Sequence, residues 1–114
     1  MKNDESTNQP KEICFSNQAA IREFKALPEE HAISFALALK QVAYGEDPSL
    51  DKDHLGSVGA GVIELKINGR PAYRCVYYNK LPGKVVVLHT AKKTTNGPDK
   101  KIAETARKRL ASLK

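Results

Sequence analysis

The sequence has no tryptophan and a single methionine, and aromatic residues make up only 6% of its 114 residues. A hydrophobic core must therefore be mainly aliphatic, and the chain length suits one domain. No apolar run approaches the length that a membrane-spanning helix needs, and the first residues lack the apolar stretch of a secretory signal peptide. We therefore expect a cytoplasmic protein that does not associate with membranes.

Cysteine is also scarce. Cys14 and Cys75 form neither a CxxC pair nor a spacing typical of metal ligands. Each lies in an apolar, strand-like run, so we expect both to be reduced and to pack as small hydrophobic side chains. The sequence alone leaves open whether the two cysteines form a disulfide. The sequence indicates no metal site and no cofactor.

Positive charge is in excess, and the excess is confined to the C-terminal segment. The chain has 19 Lys and Arg residues against 13 Asp and Glu residues, which gives a net charge of +6. Residues 1–91 contain 11 basic and 11 acidic side chains, whereas residues 92–114 contain 8 and 2. Such a segment indicates either a polyanionic partner, which could be nucleic acid or an acidic protein, or a solvated helix with a lysine-rich face.

The N-terminal half is predicted to contain a short strand and two helices. Residues 1–10 are polar and are predicted to be a disordered tail, and the apolar run Glu12–Phe15 predicts a strand. Apolar residues at helical spacing predict two helices over residues 17–44, the first capped by Ser16 and the second beginning at Pro28. The short junction between them favours an antiparallel hairpin.

The C-terminal half is predicted to be a β-meander followed by a helix. Residues 45–61 are mostly polar and are predicted to be a loop. Turn signals then separate three runs rich in β-branched and aromatic residues, which predict strands at Val62–Ile67, Ala72–Tyr78 and Lys84–Thr90. After a loop at residues 92–98, Pro98 begins a helix with one apolar stripe. We therefore predict one α+β domain, residues 11–114, in which the hairpin packs on a three- to four-stranded antiparallel sheet and a C-terminal helix follows.

One face of the predicted sheet could gather positive charge. If the hairpin covers one face, the opposite face is open and could hold Lys66, Arg74 and the pair Lys92–Lys93. Such a concave cluster of cations suits a phosphate, because it stabilises negative charge in the ground state and the transition state. Arg74 could equally be solvated or form a surface pair with Glu64. His89, at the end of the VVVLH strand, could transfer a proton or satisfy a backbone carbonyl.

Other side chains could contact RNA. Tyr73, Tyr77 and Tyr78 could stack on bases, although tyrosines on a half-buried strand also belong to cores. Candidate phosphate contacts on the C-terminal helix are Lys100, Lys101, Arg107 and Lys108. The other histidines, His31 and His54, lie in a helix start and a polar loop and are expected to be solvated.

Four short motifs follow one another in the C-terminal half. They are YRCVY at Tyr73–Tyr77, VVLH at Val86–His89, KKT at Lys92–Thr94 and ARKR at Ala106–Arg109. Each motif is weak alone, but the ordered set, within residues 60–110, resembles the RelE/HigB toxins of the RelE/ParE superfamily. The resemblance is closest to the branch of phage-derived toxin-like proteins, and the order of elements extends it over residues 12–112.

The resemblance implies the toxin of a type II toxin–antitoxin pair, an endoribonuclease that cleaves messenger RNA on the ribosome. Its antitoxin partner would be a small helix-turn-helix protein from the same operon. The neighbouring 2′-hydroxyl would attack the phosphodiester, with Lys and Arg supplying charge stabilisation and proton transfer and no metal. By motif match, Arg74, Lys66 and the pair Lys92–Lys93 take the places of the family's cations. Glu64 departs from the pattern, because some members are basic there.

Two other functions fit parts of the sequence. A ParE-like toxin of the same fold would poison DNA gyrase and cut nothing, but the YRxxY and LHxxKK motifs favour the RNA-cutting branch. A non-catalytic nucleic-acid-binding module would explain the charge of the C-terminal segment but not the ordered motifs.

Overall fold

A computed structural model describes residues 9–113 and has an α+β fold, as predicted. The elements in chain order are β1 (Glu12–Phe15), α1 (Gln18–Lys25), α2 (Glu29–Ala43), β2 (Asp51–His54), β3 (Val62–Ile67), β4 (Ala72–Tyr78), β5 (Lys84–Lys93) and α3 (Lys100–Leu113). Of the predicted disordered tail, residues 1–8 lie outside the described residues. No helix within residues 9–113 is long and apolar enough to cross a membrane.

The sheet has five strands in the order β1-β5-β4-β3-β2 and is mixed. β1 runs parallel to β5, whereas the other neighbouring pairs are antiparallel. The prediction of three to four antiparallel strands is therefore corrected in strand number and in the direction of β1. The missed strand, β2, lies inside the predicted loop at residues 45–61. Its sequence, DKDH, shows no apolar alternation because it is a largely exposed edge strand.

Helices cover both faces of the sheet. The face toward α1 and α2 forms a core that includes Phe35, Leu39, Leu65, Tyr73 and Tyr77. The opposite face packs against the apolar stripe of α3, which consists of Ile102, Ala106 and Leu110. The prediction that this second face would be open is therefore wrong for the part that α3 covers. The two cysteines are free, and they pack into the cores on opposite faces.

The starts of α1 and α3 differ from the predicted ones by one and two residues, respectively. Asn17 caps α1, because its Oδ1 accepts a hydrogen bond from the backbone N–H of Ala20 at 2.9 Å. Ser16, the predicted cap, instead donates to the carbonyl oxygen of Leu88 at 3.4 Å. Helix α3 follows Asp99, whose carboxylate accepts from backbone N–H groups of the first turn at 3.1 and 3.3 Å. These bonds fix where α1 and α3 leave the sheet.

Candidate functional site

A β-bulge interrupts the pairing of β5 with β4. Val76 and Tyr77 of β4 lie opposite His89 and Val87, which leaves Leu88 as the extra residue. A bulge of this kind reverses the alternation of the side chains that follow it in the strand. The strand also continues three residues past its predicted end, so the lysine pair belongs to the strand and not to a loop.

The bulge and the longer strand place the two lysines on opposite faces of the sheet. Lys93 lies opposite Ala72, on the face that carries Arg74. Lys92 lies opposite Tyr73, on the face toward the N-terminal helices, and lines a separate groove there. The prediction that Lys92 and Lys93 converge on one phosphate is therefore wrong for Lys92.

Three of the predicted cations meet in one pocket of about 470 Å³ on the sheet face that α3 covers only in part. Lys66 and Arg74 lie directly opposite each other on β3 and β4, and Lys93 joins them from β5. The other residues that line the pocket are Asp53, His54, Leu55, Glu64, Gly97, Pro98 and Asp99. We call this site the cation pocket.

The cations of this pocket are largely paired. Lys66 Nζ lies 2.9 Å from an oxygen of Asp53, and Arg74 Nε lies 3.8 Å from an oxygen of Glu64. Arg74 also donates to the carbonyl oxygen of Tyr73 at 3.0 Å. Within residues 9–113, Lys93 has no ion pair shorter than 4 Å. Lys93 is thus the cation most readily available to an incoming anion.

Glu64 is more shielded from water than Asp53, because their side chains are 14% and 57% exposed. This burial raises its pKa, although Arg74 acts in the opposite direction. The hydrogen bond from Lys66 instead lowers the pKa of Asp53. Two carboxyl groups in one pocket therefore differ in proton affinity, and Glu64 is the better placed to exchange a proton.

Glu64 and His54 line the pocket but are not among the predicted site residues. The sequence offers Glu64 only as a departure from the family pattern and as a possible partner of Arg74, with which it does pair. His54 is exposed, as expected, but lies on β2 and not in a loop. The position of Glu64 in the apolar run VIELKI, two residues before Lys66, was a usable indication, because alternate strand residues share a face. No comparable indication existed for His54, since β2 itself was missed.

His89 lies in a different polar cluster, which joins α1 to α3. Its Nδ1 is 2.8 Å from Glu23 Oε1, and Arg109 donates to both carboxylate oxygens of Glu23 at 2.8 and 2.9 Å. Arg109 also donates to the carbonyl oxygen of Leu88 at 2.9 Å. His89 does not line the cation pocket, where a residue that transfers a proton at the phosphate would have to lie. These contacts favour a structural role.

The candidate RNA contacts divide into buried and exposed residues. Tyr73 is only 9% exposed, and its ring packs 4.8 Å from that of His31, so it is part of the core beneath α2. The four predicted contacts of α3 are all exposed: Lys100, Lys101, Arg107 and Lys108. Arg107 also donates to the carbonyl oxygen of Ser57 at 3.5 Å. In the described part of the chain, no group of three or more His, Cys, Asp or Glu side chains is placed to hold a metal ion.

A family model described as "Phage derived protein Gp49-like" matches residues 22–111. The chain belongs to this Gp49-like family. The phage-derived branch indicated by the four sequence motifs is thereby confirmed.

The matched range includes every predicted site residue of this Gp49-like chain, from Lys66 to Lys108. No curated protein matches the chain. Among solved structures, the chain is similar to a protein of the RelBE2 toxin–antitoxin complex from Mycobacterium tuberculosis. The identity is 20% and the TM-score 0.47, over 75% of this chain and 94% of the other.

Proposed function

We propose that this Gp49-like protein is the toxin of a type II toxin–antitoxin pair and cleaves messenger RNA on the ribosome, with the cation pocket as its active site. The observation that carries the proposal is the meeting of Lys66, Arg74 and Lys93 with the shielded carboxyl of Glu64 in one concave site. This set supplies both positive charge for a phosphate and a group that can exchange a proton. Family membership supports the same assignment.

The proposed reaction is attack of the neighbouring 2′-hydroxyl on the phosphorus atom. Arg74 and Lys93 hold the phosphate oxygens, and ionised Glu64 accepts the proton of the attacking hydroxyl. The bond from the 2′-oxygen to phosphorus forms as the bond to the 5′-oxygen breaks. Lys66 gives a proton to the leaving 5′-oxygen, so that the products are a 2′,3′-cyclic phosphate and a free 5′-hydroxyl.

The two neighbouring lysines offer a matched test of this proposal. Removing one cation that acts on the transition state commonly lowers the rate by ~10²–10³. Lys93→Ala should therefore reduce cleavage of messenger RNA on translating ribosomes by about 10², whereas Lys92→Ala should leave it unchanged. Glu64→Gln, which keeps the shape of the side chain but cannot accept the proton, should reduce it as well. Thermal unfolding of each variant establishes that the fold is retained.

Three results would count against the proposal. Equal loss in Lys92→Ala and Lys93→Ala would show that the sheet face does not decide activity. Full activity in both Lys93→Ala and Glu64→Gln would place the active site elsewhere. Gyrase-dependent DNA breaks with intact messenger RNA would assign the protein to the ParE-like mode of action.

The proposed partners are the ribosome with its messenger RNA and an antitoxin encoded in the same operon. The exposed cations of α3, Lys100, Lys101, Arg107 and Lys108, offer a surface for phosphates or for an acidic segment. An antitoxin that covers this helix would also lie beside the cation pocket, because Pro98 and Asp99 at its start line that pocket. Neutralisation by steric exclusion of RNA follows from this arrangement.

A further inference from the structure

Helix α2 has an exposed seam on the side that faces away from the sheet. Its members follow each other at intervals of three and four residues: Glu30, Ile33, Leu37, Lys40 and, at the C-cap, Tyr44. This 3-4-3-4 spacing is the one by which a helix presents a continuous line of side chains to a second helix. Ile33, Leu37 and Tyr44 are 61%, 52% and 55% exposed, and they are three of the four large apolar side chains exposed within residues 9–113.

Four of the five seam residues are arranged symmetrically about Phe35, and Tyr44 is the exception. Ile33 and Leu37 lie two residues before and after it, and Glu30 and Lys40 lie five residues before and after it. Phe35 itself points into the core and is fully buried. An antiparallel copy of the helix, related by a two-fold axis at Phe35, would therefore bring Ile33 opposite Leu37 and Glu30 opposite Lys40.

We infer that α2 is the interface of a symmetric homodimer, with a second copy of this chain as its occupant. Ile33 packs against the partner's Leu37, and Glu30 pairs with the partner's Lys40. The charge symmetry favours a second copy over an unrelated apolar helix, because an unrelated helix would need no opposite charges at equal distances from the centre. A single pair of helices is smaller than a standard stable interface, so the dimer is weak and depends on concentration.

The dimer would leave the cation pocket uncovered. Glu64 and Arg74 of that pocket lie on the sheet face that α3 partly covers, whereas α2 packs on the other face. The inference therefore does not rest on the proposed function, and either could fail without the other.

Sedimentation equilibrium of the purified chain, alone in solution, tests the inference. The wild-type chain should show a monomer–dimer equilibrium, and Leu37→Glu should raise the dissociation constant by tenfold or more (about 1.4 kcal/mol per tenfold). Lys40→Glu should weaken the dimer by about tenfold, because the symmetry places two pairs of like charge in contact. The double variant Glu30→Lys/Lys40→Glu should restore the wild-type constant.

The matched control reverses an exposed Glu and Lys pair on α3. Glu104→Lys/Lys108→Glu should leave the dissociation constant unchanged. A wild-type chain that stays monomeric at the highest soluble concentration would overturn the inference. So would a double variant that fails to recover, because recovery depends on Glu30 facing the partner's Lys40. If Leu37→Glu abolished binding of the antitoxin to a monomeric chain, the seam would belong to the antitoxin and the homodimer would be refuted.

Discussion

Replacing Glu23 by glutamine should weaken the attachment of α3 to the rest of the fold. The Glu23 carboxylate accepts two hydrogen bonds from Arg109 and a third, at 3.2 Å, from the backbone N–H of Thr90. Because a carboxylate can only accept, the His89 nitrogen 2.8 Å away must carry a proton and donate a fourth. Glutamine would direct an amide N–H₂ group at the guanidinium, so at least one of the charged bonds is lost.

The magnitude follows from the number of bonds and the exposure of the groups. Breaking a fully buried pair by removing one partner costs about 3–5 kcal/mol. The side chains of Glu23 and Arg109 are 25% and 15% exposed, so water can partly replace the lost contacts. We therefore expect Glu23→Gln to lower the free energy of unfolding by about 2–3 kcal/mol, or roughly 10 °C in Tm for a chain of this length.

This effect should depend on pH in a defined direction. Burial acts to raise the pKa of Glu23, but the hydrogen bonds from Arg109 and His89 outweigh it and hold the pKa below its usual value of 4.5. A carboxyl group with a lowered pKa stabilises the folded state above the unfolded pKa, and that stabilisation is lost as the pH falls through the folded pKa. The difference between the wild-type chain and Glu23→Gln should be full at neutral pH and shrink below pH 4.5.

Urea unfolding followed by circular dichroism, at neutral pH and in steps down to about pH 3, measures this difference. The control is Glu104→Gln, which alters an exposed carboxylate on α3. A cost for Glu23→Gln within the range of ordinary surface substitutions, about 0.5 kcal/mol, would refute the reasoning. A cost that stayed constant with pH would also refute it, because the ionised carboxylate would then not be the stabilising group.

Two further stability predictions concern Glu64 and Gly61. Burial raises the pKa of Glu64, so ionisation of this carboxyl group destabilises the fold. Glu64→Gln should therefore increase the free energy of unfolding at neutral pH. In urea titrations this increase should vanish below pH 4.5, where the carboxyl group is protonated in both states. Gly61 has φ +82°, and a Cβ there would clash with the side chain of Lys80. Gly83 has φ +73° but open space around it, so Gly83→Ala should lower the free energy of unfolding by only ~1–2 kcal/mol. Gly61→Ala should lower the free energy of unfolding by more than this. Equal costs in thermal unfolding would show that Lys80 moves aside.

Much of the fold could be predicted because local pattern and tertiary position agree. The bounds of β1, β3 and β4 are those predicted, since each is a run rich in apolar, β-branched or aromatic residues and turn residues separate β3 from β4. Strand β2 could not be found in this way. Its residues, DKDH, pair with β3 at the edge of the sheet and are mostly exposed, so no buried face leaves a pattern in the sequence.

The candidate site could be predicted only where strand periodicity holds. Lys66 and Arg74 share a face, as the period of two and antiparallel pairing require. Regular alternation through β5 would have placed Lys92 on that face in place of Lys93. The bulge at Leu88 reverses the order, and the run VVVLHTAKK contains no glycine or other residue that marks a bulge.

The positive excess of residues 92–114 lies mostly outside the cation pocket. Within that pocket three cations face three carboxyl groups, and among residues 92–113 Lys93 is the one basic residue that lines it. The exposed cations of α3 are four in number: Lys100, Lys101, Arg107 and Lys108. Attraction of a polyanion depends on summed surface charge and is screened by salt, so we propose that α3 supplies it. The proposed chemistry depends instead on short-range geometry around Glu64 and Arg74, where shielding from water limits screening. The two roles proposed for the basic residues therefore fall on separate parts of the structure.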